Sequence, residues 1–165
     1  MRRVEPHTQA VGDCCEPDGY DAVFSDRFAR GVARRYRRRR LSRSSTAIVS
    51  FLTERGITGA DVLEIGGGVG EIQVELLRRG AMRATNLEIS TNYEPEAVEL
   101  LERAGMRDRV DRRFLDIAQV ADEVESADIV VLHRPAAMLS ALSEAGLHST
   151  YHWRGFGWHV VGLER

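Results

Sequence analysis

The sequence predicts an α/β domain built on a doubly wound, mostly parallel sheet that closes on a C-terminal antiparallel hairpin. Three observations carry this expectation. Short apolar runs alternate with helical ones from Asp61 to Leu132; a glycine-rich segment, Gly66 to Gly70, stands where the first run turns into a helix; and two β-type runs flank Gly155 near the end of the sequence.

Residues 1–20 contain Pro6, Gly12, Pro17 and Gly19 with little periodicity and read as an irregular arm. Residues 21–165 read as one domain, within the usual span of roughly 100–200 residues. It divides into N-terminal helices (21–58), a strand-and-helix half (61–134), and a final helix with the hairpin (135–165). Over 21–39, Phe24, Phe28, Val32 and Tyr36 form an i, i+4 stripe, predicting an amphipathic helix with its arginines outward. Ala47, Ile48, Phe51 and Leu52 predict a second helix over 45–55, stopped by Gly56.

The alternation begins at Asp61. Residues 61–65 read as a strand, 71–79 as a helix stopped by Gly80, and 84–88 as a second strand. Ala97, Val98, Leu100 and Leu101 predict a helix over 93–104 closed by Gly105, and 109–115 suits a third strand. Ile117, Val120, Ala121 and Val124 fit a short helix ahead of 128–132, the strongest buried-strand run. After it, 135–145 reads as a helix with Pro135 in its first turn, and 147–154 with 156–163 as the hairpin.

Composition narrows the chemistry. The apolar fraction of 43%, the charged fraction of 29% and the net charge of -2 suit an ordinary globular domain and argue against a generally polyanion-binding surface. All 23 basic residues are arginine, which excludes lysine-based chemistry. Cys14 and Cys15 are adjacent and cannot staple distant segments. The segment MRRVEPHTQA lacks an apolar core, and no run approaches the roughly 18 apolar residues of a membrane span, so a cytoplasmic protein without membrane contact is expected. The basic run Arg34, Arg35, Arg37, Arg38, Arg39, Arg40 and Arg43 reads as a solvated helix face, with Tyr36 the sole aromatic interleaving it; nucleic-acid binding is not expected. His148, His152 and His159 lack a carboxylate or cysteine at a ligand spacing, so no metal site is expected. Trp153, Phe156 and Trp158 read as hairpin packing.

The motif that carries chemistry is Glu64-Ile65-Gly66-Gly67-Gly68-Val69-Gly70 at a strand-to-helix turn, where an α/β sheet binds its ligand. Glycines there allow a sharp turn and close backbone approach, and the following helix N-terminus attracts an anionic group. Glu88 ends the next strand, where an acid accepts both ribose hydroxyls of an adenosine. The GxGxxG fingerprint fails because Glu71 stands where its third glycine belongs, and the phosphate-loop pattern fails for want of a lysine. Glu64 reads as an orienting acid beneath the loop. Asp116 is either a ligand acid or the N-cap of the helix at Ile117. His133, at the end of a strand, is a base, a substrate contact or a buried polar residue.

The pattern ExGxGxG, at Glu64, Gly66, Gly68 and Gly70, resembles motif I of the class I S-adenosylmethionine-dependent methyltransferases, whose fold is Rossmann-like. The resemblance implies that the loop, Gly67 included, holds the methionine end of S-adenosylmethionine and that Glu88 holds its ribose. It further implies that Asp116 binds the adenine amino group with Ile117 on the ring, and that His133 and Arg134 face the methyl group, with S-adenosylhomocysteine as product. The segments VLEIGGGVGEIQVELLRRGA, ATNLEIS and ADIVVLHR, with FSDRFARGVARRYRRRRL upstream, resemble more closely a bacterial group related to magnesium-protoporphyrin O-methyltransferases. That resemblance implies a small-molecule acceptor. It also implies an internal deletion after Arg134, on the order of 60 residues against the length of a full domain of this kind. The usual fifth strand would then be missing, leaving a sheet edge that favours homo-oligomerisation unless the last strand pairs antiparallel with the fourth. A non-catalytic cofactor-binding or interaction protein derived from such an enzyme is the alternative reading.

Overall fold

A computed structural model describes residues 25–39, 41–117, 124–132, 148–155 and 158–164. Two helices come first, α1 (Asp26–Arg39) and α2 (Arg43–Glu54). Ser42 caps α2: its hydroxyl accepts the Ser45 amide at 3.1 Å, which explains a start two residues earlier than the apolar periodicity suggests. The alternating half follows as β1 (Asp61–Ile65), α3 (Glu71–Arg78), β2 (Arg83–Glu88), α4 (Glu94–Ala104), β3 (Val110–Phe114) and β4 (Ile129–Leu132), with 3-10 turns at Thr91–Tyr93 and Arg107–Arg109. The hairpin is β5 (His148–Gly155) with β6 (Trp158–Glu164). Gly155 is the last residue of β5, paired with Trp158, so the connection is residues 156–157 and not Gly155 itself. The predicted helix over 135–145, most of the short helix after Ile117, and the arm lie outside the described residues.

The six strands form one sheet in the order β3-β2-β1-β4-β6-β5. The first four are parallel, and β6 runs antiparallel directly against β4, with Val130 opposite Val161 and Leu132 opposite His159. No parallel strand lies between β4 and β6. Asp128 aligns β4 on β1, its carboxylate accepting the Asp61 amide at 2.8 Å and its own amide donating to the Asp61 carbonyl at 3.0 Å.

Strand parity divides the core. Val62, Ala84, Val110, Ile129 and Val131 face one side and pack with Ile48, Val49, Leu52, Ile72, Leu76 and Leu101 of the helices. Leu63, Ile65, Leu87, Val130 and Leu132 face the other side with Ile117. Every residue of β4 is buried, which accounts for its uninterrupted apolar run.

The buried face of α1 is the predicted stripe only in part. Ala29, Ala33 and Tyr36 are inside, Val32 is partly buried, and Phe28 is 50% exposed. The helix lies against Val69 and Tyr93, where small residues permit a close approach that a phenylalanine at 29 or 33 would prevent. Its far end is tied down by a cluster of buried Tyr36 and Glu75 with exposed Arg78. The Tyr36 hydroxyl donates to Glu75 Oε1 at 2.7 Å, and Arg78 donates to both that hydroxyl and that carboxylate, at 2.7 and 2.8 Å. Burial, then the hydrogen bond to and charge of Glu75, raise the Tyr36 phenol above its ordinary range. Burial opposes ionisation of Glu75, but the hydrogen bonds from Tyr36 and Arg78 and the charges of Arg78 and Arg79 outweigh it and hold the carboxyl below its usual value.

Candidate functional site

The glycine segment joins the carboxyl end of β1 to the start of α3. Gly66, Gly68 and Gly70 have φ of 70°, 57° and 80°, left-handed conformations that cost other residues about 1–2 kcal/mol each. The loop is held by the next strand over: the Gly66 amide donates to the Leu87 carbonyl at 2.8 Å, and the Gly68 amide to Glu88 Oε2 at 2.8 Å. Glu88 Oε1 accepts the amides of Ile89 and Ser90, at 2.9 and 3.2 Å. Three backbone donors therefore fix this carboxylate at the end of β2, pre-oriented as an acceptor beside the loop.

Gly67 serves a different purpose from its neighbours. It is absent from the residues with positive φ, yet a Cβ there would stand 2.6 Å from Glu64 Cδ and overlap the Asn86 amide. The missing side chain lets the loop settle onto the sheet. A Cβ on Gly68 would stand 3.3 Å from the ring of Tyr93, so that glycine packs beneath an aromatic.

Register and parity assemble a buried polar row under the loop. Glu64, Asn86 and Arg112 are lateral neighbours on β1, β2 and β3, and point to the helix-covered face of Val62, Ala84 and Val110. Glu64 and Asn86 are fully buried and the Arg112 side chain is 2% exposed. Arg112 Nε donates to Glu94 Oε2 at 2.8 Å, and a terminal nitrogen donates to the Gly68 carbonyl at 3.0 Å. Gly68 is thus gripped from both sides, its amide by Glu88 and its carbonyl by Arg112. Asn86 Nδ2 and Oδ1, both amide atoms of Gln73 and one Arg112 nitrogen are buried without a hydrogen-bond partner among the described residues. Polar capacity of this kind beneath a glycine cradle suits a site built for a polar ligand. Sequence reasoning passed over Arg112, Asn86, Tyr93 and Glu94. A strand reading that followed parity from Val110 would have found an arginine on an inward position.

The other expected residues fall as follows. Phe114 is the register partner of Glu88, and the Leu115 amide donates to the Glu88 carbonyl at 3.2 Å, so Asp116 and Ile117 leave the sheet at the same end as Glu88. Asp116 is half-buried and Ile117 is 9% exposed in the core of the second face. His133 and Arg134 follow β4 directly and lie outside the described residues. Among the described residues, no group of three or more His, Cys, Asp or Glu side chains is placed to hold a metal ion.

No family model matches the sequence, and no curated protein matches it. Solved structures do match in shape. An O-methyltransferase family protein from Burkholderia thailandensis aligns with a TM-score of 0.61 at 12% identity, over 92% of this chain and 63% of its own. An RNA methyltransferase from Salinibacter ruber, in complex with S-adenosyl-L-homocysteine, aligns at 0.58 and 16% identity, over 73% and 90%. The ribosomal protein L11 methylase of Lactobacillus delbrueckii subsp. bulgaricus aligns at 0.55 and 15%, over 76% and 80%. The chain has the Rossmann-like methyltransferase fold. Within that fold, the glycine loop and Glu88 occupy the carboxyl ends of the first two strands to which ligands of open α/β sheets bind. No helix among the described residues is long and apolar enough to cross a membrane.

Proposed function

We propose that this protein binds S-adenosylmethionine and transfers its methyl group to an acceptor. The observation that carries this reading is the Glu88 carboxylate, held by the Gly68, Ile89 and Ser90 amides beside a glycine loop of motif I spacing. The cofactor supplies a methyl group already activated on a sulfonium, so the protein's work is to bind, align and exclude water. Glu64, Gly66, Gly67, Gly68 and Gly70 form the cradle for the methionine end, Glu88 takes the ribose hydroxyls, and Asp116 with Ile117 takes the adenine. Where the acceptor is a weak acid, His133 removes its proton. The protein acts in the cytoplasm, without membrane contact.

The acceptor class has two sources of support. The resemblance to the magnesium-protoporphyrin O-methyltransferase group, with a deletion after Arg134, favours a small molecule. The exposed basic face of α1 favours RNA. A non-catalytic binder is supported by the direct pairing of β4 with β6, which leaves a reduced sheet on the substrate side.

Calorimetry with S-adenosylmethionine and S-adenosylhomocysteine tests the cofactor site: binding of both is expected, and binding of neither overturns the proposal. A methyl-transfer screen over small phenols, carboxylates, tetrapyrroles and RNA then separates enzyme from binder. His133→Ala is expected to lower turnover with cofactor affinity unchanged; unaltered turnover removes His133 from the mechanism.

A further inference from the structure

Among the described residues, Arg112 directs both of its hydrogen bonds to the two segments that flank the candidate cofactor site. Its Nε donates to Glu94 Oε2 at 2.8 Å, and a terminal nitrogen donates to the Gly68 carbonyl at 3.0 Å. Gly68 stands in the loop after β1, and Glu94 opens α4, where the chain that leaves β2 beyond Glu88 turns into a helix. The Arg112 side chain is 2% exposed, and its other terminal nitrogen is buried without a partner among the described residues. Burying a guanidinium with a donor unspent is costly, so a charge here is a poor way merely to fill space.

These bonds close a circuit with those of Glu88. The Gly68 amide donates to Glu88 Oε2, and Glu88 Oε1 accepts the Ile89 and Ser90 amides. The chain then runs through the turn Thr91–Tyr93, whose Tyr93 ring lies against Gly68, to Glu94, and Arg112 leads back to Gly68. Glycine populates φ of either sign about equally, so the 57° found at Gly68 is not set by the residue itself. It is set by the peptides on either side, Glu88 holding the amide of one and Arg112 the carbonyl of the other.

We infer that Arg112, oriented by Glu94, is a positioning residue that holds the glycine loop and the Glu88 carboxylate in one register, so that a ligand spanning both meets a preformed site. Buried beneath the loop, Arg112 acts through Gly68. Order supplied in advance lowers the entropic cost of binding, and support from behind the contacting groups is how such order is kept. The S-adenosylmethionine reading supplies the ligand's identity, and the inference rests on it for that. S-adenosylhomocysteine, with a methionine-derived end for the loop and a ribose for Glu88, gains from the register. Adenosine, which has the ribose alone, does not.

The test is made on the full chain with Glu94→Ala, because the Glu94 side chain is 30% exposed and its removal disturbs the core less than loss of Arg112 would. Calorimetry should show S-adenosylhomocysteine binding about tenfold more weakly than to wild type, while adenosine, followed by NMR shift titration, changes by less than about twofold. Without ligand, exchange of the Gly68 amide should be about fivefold faster or more, although that amide touches neither Glu94 nor Arg112. Glu94→Gln keeps an acceptor oxygen for Nε and should recover most of both properties; it also serves where Glu94→Ala leaves the Arg112 charge too costly for folding. A purely structural ion pair would weaken both ligands by one factor and quicken exchange throughout the sheet. That pattern, or S-adenosylhomocysteine affinity within about twofold of wild type in both variants, would overturn the inference. Wild type that binds neither ligand would instead remove the cofactor reading, and the hold on the loop would then stand or fall on the Gly68 exchange.

Discussion

Gly67 and Gly68 are adjacent, yet alanine at each should fail for a different reason. At Gly68 the backbone, with φ of 57°, costs alanine about 1–2 kcal/mol, and the new Cβ meets the Tyr93 ring edge at 3.3 Å, so a small shift suffices. We expect a loss of about 2 kcal/mol there. Gly67 carries no such backbone penalty, but its Cβ would lie 2.6 Å from Glu64 Cδ, 2.7 Å from Oε2 and inside contact distance of the Asn86 amide. Both side chains are fully buried and have no solvent to swing into. Overpacking costs about 1–3 kcal/mol and occasionally more, and here a buried carboxylate must also move, so we expect about 3 kcal/mol or more. Urea unfolding at constant m reads both values. The cycle with Asn86→Ser distinguishes the mechanisms: shortening that side chain should relieve Gly67→Ala by about 1 kcal/mol while adding independently to Gly68→Ala. A milder loss for Gly67→Ala than for Gly68→Ala, or additivity in both cycles, would refute this assignment of causes.

Further outcomes follow from other contacts. Arg112→Met strands the Gly68 carbonyl and the Glu94 carboxylate, and should destabilise the fold by about 3 kcal/mol, with Arg112→Lys a poor rescue because an ammonium cannot reproduce the two-pronged grip; a full rescue by lysine in urea unfolding would contradict it. Glu75 is held below its ordinary value in the folded state, so its contribution is complete above the unfolded carboxyl range and is lost as pH falls through the lowered folded value. The urea midpoint of wild type should therefore drop more between pH 6 and pH 3 than that of Glu75→Gln, and parallel curves would show the reasoning to be wrong. Gly31→Ala should raise stability by about 0.5–1 kcal/mol, read as a higher thermal midpoint. Val160→Pro, placed between β4 and β5, should abolish the cooperative transition, since proline removes a ladder hydrogen bond from a strand paired on both sides.

Much of this architecture was legible before any coordinates. The run Ile129–Leu132 is apolar at every position because both faces of β4 are covered, and the change of period at Asp61 marks where the sheet begins. The glycine loop and Glu88 could be paired from spacing alone, since a strand-helix-strand unit fixes how far apart two carboxyl-end positions fall. Two things were hidden. The inner face of α1 differs in part because Phe28 outweighs Ala29 and Ala33 on any hydrophobicity scale, whereas close helix contact rewards small residues and turns the buried face by roughly 70° while Tyr36 stays inside. Arg112 was hidden because a charged residue in a strand reads as solvent-facing until register places it beside Asn86 and beneath Gly68.

The pairing of β4 with β6 has a bearing on synthesis. Strands β1, β2 and β3 find their partners within short stretches of chain, and β4 can join β1 as soon as it is made. The other edge of β4 has its partner only once residues 158–164 have also left the ribosome. During that interval a nascent sheet carries an unsaturated apolar border, open to a second nascent chain or to a chaperone. The same border is open whenever the unfolded chain refolds, so recovery of soluble protein on dilution from urea should fall as protein concentration rises.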